Sequence, residues 1–381
     1  MRIGLITGEY PPDQGGVGDF THQLARSLAD IGHETHVITH TKRDQVSHHS
    51  LSVHRVMAKW HWGCWRRLLA LADELALDVL NVQYQAAAYG MHPAINFVPG
   101  RRPRHLVVVT FHDLKVPYLF PKAGPLRRWV VRTLAQRADG VIVTNEEDAK
   151  KISNLKSQIP NLVLIPIGSN IPPNPPPGYD RGVERSRWGV GPDDLLLGYF
   201  GFLNESKGGE ELMQTLALLV ERGIPAHLLM IGGRVGSSDP SNRAYAERVD
   251  NLIASLGLDE RVHHSGYARP EKVSAGLLAT DVCVLPYRDG VSFRRGTLHA
   301  CLAHGRAIVT TRPAVELPQV RDEENMLLEA PRDPEGLADA VARLADDLAL
   351  RAQLETGARA LAAEFTWERI ARQTAAFFGR L

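Results

Sequence analysis

Four short stretches combine residue types that hold anions or handle protons. The first, GEYPPDQGGVGDF, follows an N-terminal apolar run and opens a helical pattern. Gly15, Gly16 and Gly18 permit close backbone approach. Main-chain N–H groups there, with the helix start, favour an anion or a cluster of hydroxyls. The same glycines equally suit a tight strand-to-helix turn that holds nothing. Their spacing is not GxGxxG, so a nicotinamide-cofactor enzyme is not indicated. The second stretch is Lys207-Gly208-Gly209, which puts an ammonium at a helix-opening turn. An ammonium there can neutralise a diphosphate without a metal. The third, SFRRGTL, gathers Arg294, Arg295, Gly296 and the Thr297 hydroxyl at a helix start, a second set of diphosphate donors. The fourth is His112-Asp113, after an apolar run. A histidine at a strand's carboxyl end is placed for chemistry in a crevice. The other histidines form no HExxH pattern, and His48-His49 and His263-His264 read as surface or strand residues. Cys64, Cys283 and Cys301 are scattered and in no CxxC pair. A disulfide framework and a zinc site are therefore not expected, and a reducing cytoplasm fits.

Strands and helices must carry these groups. Apolar, β-branched runs at Arg2–Thr7, Thr35–Thr39, Val79–Val82, Leu106–Thr110 and Gly140–Thr144 read as buried strands. A helix is expected over Val17–Ile31, where Phe20, Leu24, Leu28 and Ile31 recur at helical spacing. The proline-rich stretch from Ile159 to Gly178 can form neither helix nor central strand. The alternation then restarts with strands Leu195–Phe200, Ala226–Ile231, Val262–Ser265, Val282–Pro286 and Ala307–Thr311, and helices over Glu205–Arg222 and Ala244–Leu256. The expected fold is α/β: two doubly wound, Rossmann-like domains, 1–170 and 171–364, with an amphipathic helix in 365–381. An interdomain cleft is the expected ligand site.

The 381 residues are 44% hydrophobic and 23% charged, which suits two globular domains. No run approaches the roughly 18 apolar residues of a spanning helix. The N-terminal apolar run is too short for a signal-peptide core. Net charge is +1, which speaks against a dedicated nucleic-acid binder. Residues 1–170 carry +6 and the remainder −5, so an anionic partner is expected for the first half.

Together these stretches resemble the retaining glycosyltransferases of family 4, which have the two-domain GT-B fold. LARSLADIGHETHVIT resembles that family's first helix and second strand, and VVVTFHDL its His-Asp after a strand. LGYFGFLNESKGGEELMQTLALL resembles its Lys-Gly turn, VHHSGYARPEKVSAGLLATDVCVLPY its nucleotide-facing region, and FTWERIARQT its C-terminal helix. The resemblance implies that Lys207 contacts the donor diphosphate, that His112 hydrogen-bonds the transferred sugar, and that Gly266-Tyr267 lies near the base. Two family features are absent. Gly201-Phe202 stands where the family often has Gly-Arg. Ser292 and Ala300 stand where it usually has two glutamates. Asp289-Gly290 is the preferred stand-in for the first glutamate.

The implied activity is transfer of a hexose-type residue from a nucleoside-diphosphate sugar to a hydroxyl acceptor, with retention, in polysaccharide or glycolipid synthesis. Catalytic candidates are His112, Asp289 and Lys207. Diphosphate-binding candidates are Gly15, Gly16, Lys207, Arg294, Arg295, Gly296 and Thr297, and the nucleoside candidates are Gly266 and Tyr267. No metal or other cofactor is expected. A nucleotide-sugar epimerase and a catalytically silent binding protein are the alternatives. Lys59–Leu69, KWHWGCWRRLL, combines three tryptophans with three cations. As a helix it suits either an anionic membrane interface or an inward-facing core. With RRPRH (101–105) and LRRWVVR (126–132), it makes an anionic membrane surface and a lipid-linked acceptor candidate partners, at the cytoplasmic face.

Overall fold

A computed structural model describes residues 1–13, 15–40, 51–101, 104–114, 126–153, 159, 161–233 and 240–381. Gln14, His48-His49 and Arg102-Pro103 of the stretches above lie outside them. The chain divides into two compact units, Met1–Asn170 with Phe365–Leu381, and Ile171–Glu364.

The first unit holds a seven-stranded sheet of β1 (Arg2–Ile6), β2 (Glu34–His40), β3 (Leu51–Met57), β4 (Val79–Tyr84), β5 (Leu106–Phe111), β6 (Gly140–Val143) and β7 (Leu162–Leu164). Their spatial order is β3-β2-β1-β4-β5-β6-β7. Its helices are α1 (Gly16–Asp30), α2 (Cys64–Glu74), α3 (Leu126–Arg137) and α4 (Glu146–Ser153). The second unit opens with α5 (Arg181–Ser186) and holds six strands, β8 (Leu195–Phe200), β9 (Ala226–Ile231), β10 (Val262–His264), β11 (Val282–Leu285), β12 (Ala307–Thr311) and β13 (Leu327–Glu329). Their order is β10-β9-β8-β11-β12-β13. Its other helices are α6 (Gly209–Glu221), α7 (Pro240–Ser255), α8 (Pro270–Ala279), α9 (Gly296–Ala303), α10 (Pro334–Asp346) and α11 (Leu348–Ala362). Neighbouring strands pair in parallel, and β4 and β9 are buried at every residue, as a sheet covered on both faces requires. The order reverses beside β1 in one sheet and beside β8 in the other. Crevices open at the carboxyl ends of such strands.

The chain ends in α12 (Trp367–Phe378), which belongs to the first unit. Its Trp367 indole meets the Phe20 ring at 5.2 Å and donates to the Ser169 carbonyl at 2.7 Å. Ile370 is fully buried in the same core as Leu24 and Leu28. Ile370→Ala is expected to destabilise this unit by about 2–5 kcal/mol, because α12 cannot collapse into the space left. A urea titration followed by circular dichroism measures it.

Two expected helices are corrected. The Glu205–Arg222 segment is broken: a 3-10 turn, Glu205–Lys207, ends at Gly208 with φ 71°, and α6 begins after it. A Cβ at Gly208 would lie 1.9 Å from the Pro286 carbonyl oxygen, so only glycine fits this close approach. The Lys59–Leu69 segment becomes helical only at Cys64, because Gly63 (φ 104°) turns the chain first.

Candidate functional site

In the second unit, β8 ends at Gly201, whose φ of 111° suits glycine. A Cβ there would lie 2.6 Å from the Thr297 methyl and 3.1 Å from the Lys207 ammonium nitrogen. The bare backbone of residue 201, Lys207 and the start of α9 therefore converge on one spot. Lys207 reaches it because its turn is fastened to the β11 loop. Arg288 donates to Ser206 O from its main chain (3.0 Å), and its guanidinium bonds Glu205 (3.2 Å), Glu210 (2.5 Å) and Glu211 (2.7 Å).

The arginine pair follows from the same loop. Asp289 accepts from Arg294 with one carboxylate oxygen and from Arg295 with the other. The Arg295 guanidinium also lies 4.7 Å over the Tyr287 ring and donates to Ser206 Oγ at 3.3 Å. Its side chain is only 10% exposed, and its Nε–H is buried with no acceptor. The Lys207 ammonium has no hydrogen-bond or ion-pair partner among the described residues. Burial first, and the Arg295 charge second, push its amine down to about 7. No side chain caps α9, so the first N–H groups, at Gly296 and Thr297, are left to an outside acceptor.

Two assignments change in detail. The Thr297 hydroxyl is turned onto the buried Tyr287 hydroxyl at 2.5 Å, so Thr297 offers its main-chain N–H instead. Asp289 clamps the two arginines while its side chain stays 32% exposed. Ala300 is fully buried in α9 and Ser292 Oγ accepts from Arg294 N, so neither position presents a carboxylate.

Gly266 and Tyr267 follow β10, which β9 and β8 separate from β11. Gly266 (φ 66°) forms a bridge with Gly232 at the end of β9, and Ser265 Oγ accepts from Gly232 N at 2.9 Å. Tyr267 is 70% exposed. The Phe202 ring lies over Gly233, where a Cβ would come within 2.9 Å of it. The ends of β8 and β10, on either side of β9, thus each carry a glycine followed by an open aromatic ring. Phe202, Tyr287, Ser206 and Arg288 were not singled out by sequence. Phe202 had a signal, since a glycine-aromatic pair ends β8 as another follows β10.

In the first unit, the glycine loop already holds an anion. Glu9 Oε1 accepts from Val17 N (3.0 Å) and Gly18 N (3.2 Å) at the start of α1. A Cβ on Gly15 would strike that carboxylate at 2.1 Å. The Glu9 carboxylate thus lies against Gly15, whereas Gly16 has open space around it. Burial raises the Glu9 carboxyl above its usual range, against the two N–H bonds that lower it.

His112 follows β5, its ring edge-on to Phe20 at 4.6 Å. Its Nε2 lies 2.9 Å from Gln83 Oε1. Gln83 Nε2 donates to Asn81 Oδ1, and Asn81 Nδ2 donates to Thr110 Oγ1 (2.9 Å) and the Val108 carbonyl (3.3 Å). Gln83 and Asn81 are fully buried. A carbonyl oxygen can only accept. Val108 O thus sets the Asn81 amide, Asn81 sets the Gln83 amide, and Gln83 Oε1 requires a proton on His112 Nε2. The assignment leaves Nδ1 as the acceptor. Burial pushes the imidazole down to about 3, so it is neutral at ordinary pH.

Residues 15–168 match the glycosyl transferase 4-like domain, and residues 194–347 match the glycosyl transferases group 1 domain. The chain is a glycosyltransferase built from these two domains. A D-inositol 3-phosphate glycosyltransferase of Corynebacterium diphtheriae is 29% identical across 100% of this chain and 94% of its own length. Its counterpart in Corynebacterium efficiens is 30% identical over 66% of this chain and 59% of its own length. Among solved structures, sucrose-phosphate synthase from Thermosynechococcus elongatus aligns with TM-score 0.77 at 22% identity, over 100% of this chain and 98% of that one. Anabaena HepE in complex with UDP and glucose aligns with TM-score 0.77 at 18% identity, over 100% of both chains. The fold of this glycosyltransferase is thus GT-B.

Proposed function

We propose that this glycosyltransferase moves a hexose-type residue from a nucleoside-diphosphate sugar to a hydroxyl acceptor with retention of configuration. One observation carries the reading. Two cationic side chains, Lys207 and Arg295, are held together at an uncapped helix start with donors still unbonded. Asp289 already offsets part of the Arg295 charge, whereas the Lys207 ammonium has no anion beside it; a diphosphate offers oxygens for that ammonium, for Arg295 and for the Gly296 and Thr297 N–H groups. Asp289 shares its one negative charge between Arg294 and Arg295, so the three groups together keep a net positive charge. The open rings of Tyr267 and Phe202 suit the base.

As the bond from the anomeric carbon to the diphosphate oxygen breaks, its electron pair moves onto the diphosphate. Lys207, Arg295 and the α9 N–H groups stabilise that charge, which is the role a divalent cation plays in other transferases. The acceptor oxygen bonds the anomeric carbon on the face that is vacated, and its proton passes to a leaving phosphate oxygen. His112 Nδ1 accepts a hydroxyl of the transferred sugar. A cytoplasmic setting belongs to this reading, in keeping with three cysteines scattered along the sequence and in no CxxC pair.

A thermal-shift panel of UDP, GDP and ADP tests the donor site. One of the three is expected to raise the melting temperature by several degrees when present at about 100 times its Kd, since binding then adds about 2.7 kcal/mol. The rise persists in EDTA. No shift with any nucleoside diphosphate would refute the reading.

A further inference from the structure

A row of aromatic rings crosses the surface of the first unit, and the reaction proposed above does not use it. Trp62 is 56% exposed and meets Phe97 at 5.5 Å and His92 at 5.4 Å. Phe97 meets Trp129 at 5.8 Å, and Trp129 is 53% exposed. Leu126, in the same turn of α3, is exposed as well. The rings come from three places: the turn before α2, the 3-10 turn Pro93–Phe97, and the start of α3. Single exposed apolar residues need no explanation, whereas a contiguous set marks an interaction site.

Exposed cations stand in the same chain segments as the rings. Lys59, Arg66, Arg67 and Arg101 are exposed and have no carboxylate partner among the described residues. The Arg101 guanidinium lies 4.0 Å over the Trp65 ring, with Arg66 at 5.2 Å from it. Arg66 and Arg67 stand in the opening turn of α2, which contains no acid. The α3 sequence likewise opens Leu-Arg-Arg-Trp with no acid in its first turn. Positive charge at a helix N-terminus opposes the helix dipole. Arg66 and Arg67 break that local rule at the start of α2, and such breaks tend to mark function.

The sequence alone suggested a single helix, Lys59–Leu69, suited either to a membrane interface or to an inward-facing core. The structure changes the membership. Trp60 is buried against Tyr89 at 4.9 Å and Trp65 lies beneath Arg101, while Trp129 joins from another helix. No helix among the described residues is long and apolar enough to cross a membrane.

We propose that this face docks on an anionic lipid bilayer, with Trp62 and Trp129 in the headgroup layer and Lys59, Arg66, Arg67 and Arg101 against the lipid phosphates. A bilayer of that kind supplies what the face lacks on both counts: a plane of negative charge for the cations and an apolar boundary for the rings. The docking does not depend on the donor chemistry. Joined to the transferase reading, it makes the acceptor a lipid-linked hydroxyl compound.

Sedimentation of the full chain with phosphatidylcholine vesicles tests this, at zero and about 30 mol% phosphatidylglycerol. The bound fraction is expected to rise steeply with the anionic lipid and to fall at about 0.5 M salt. Arg66→Ala with Arg67→Ala should lower the partition on the order of 20-fold, at roughly fivefold per cation. Trp62→Ala with Trp129→Ala should abolish the blue shift of tryptophan emission on binding. Each variant should keep the nucleoside-diphosphate thermal shift, which shows an intact fold and separates failure here from failure of the donor site. Binding that is indifferent to phosphatidylglycerol, or unchanged in both variants, overturns the proposal. So does a dimer that the tryptophan variants dissolve, which would give the face to a second copy.

Discussion

Lys207→Ala is expected to lower kcat/KM for the donor by about 100- to 1,000-fold, the cost of removing one preorganised donor from a developing anion. The pH dependence is the sharper check. Burial, and then the Arg295 charge, hold the free amine near 7. The charged form is the one that neutralises a diphosphate. Below about 7 it is present, and above about 7 it is lost, so kcat/KM should fall as pH rises through that value. Bound diphosphate reverses the trend. One phosphate charge about 4 Å away contributes about 4 kcal/mol at an effective dielectric of 20, which keeps the amine protonated. The limb in kcat should therefore lie at higher pH than the limb in kcat/KM. Lys207→Arg keeps a charge that does not titrate in this range, so its profile should lose the limb near 7 whatever its absolute rate. Initial rates from about pH 6 to 9 at limiting and saturating donor measure both parameters. A wild-type profile with no limb in kcat/KM would remove Lys207 from the site.

Groups that announce themselves over a few residues were legible in the sequence. Strands β8, β9 and β12 run as predominantly apolar stretches and match their expected limits residue for residue. Lys207 and the Arg294–Thr297 segment were legible because a strand, a glycine turn and a helix start follow one another directly. Contacts across the sheet were not. Arg288 reads as an ordinary loop arginine until its three carboxylates, 77 to 83 positions away, are seen around it. Glu9 lies eight positions before Val17, outside any local capping pattern, yet it fills the helix start that the glycines alone left open. Strand β3 was passed over because it sits at the sheet edge and alternates buried and half-exposed residues, including His54 and Arg55. Trp60 and Trp62 look alike in a basic stretch. Gly63 turns the chain there, and one ring is buried while the other is left outside.

The polar chain behind His112 gives the other large effect. His112→Ala should lower kcat/KM by roughly 5- to 150-fold, the range for one lost buried hydrogen bond of about 1–3 kcal/mol. Gln83 touches no substrate in this scheme and acts by fixing which imidazole nitrogen carries the proton. In Gln83→Leu the Nε2–H loses its acceptor, both tautomers become accessible, and kcat should fall about tenfold with little change in donor KM. The sign of the Gln83→Glu effect follows from charge. With a neutral Gln83, burial holds the imidazole near 3, so wild-type activity should show no His112 limb between about pH 5 and 8. A carboxylate beside Nε2 favours the imidazolium and raises that value. The imidazolium carries a proton on Nδ1 and cannot accept there. Gln83→Glu should therefore acquire an acidic limb, with activity lost as pH falls through the raised value, while a purely structural glutamine would leave the profile unmoved. Nitrogen-15 spectra of the histidines supply the direct reading. His112 should show a protonated Nε2 and a bare Nδ1 in the wild type, and the reverse assignment would refute the chain from Val108 to His112.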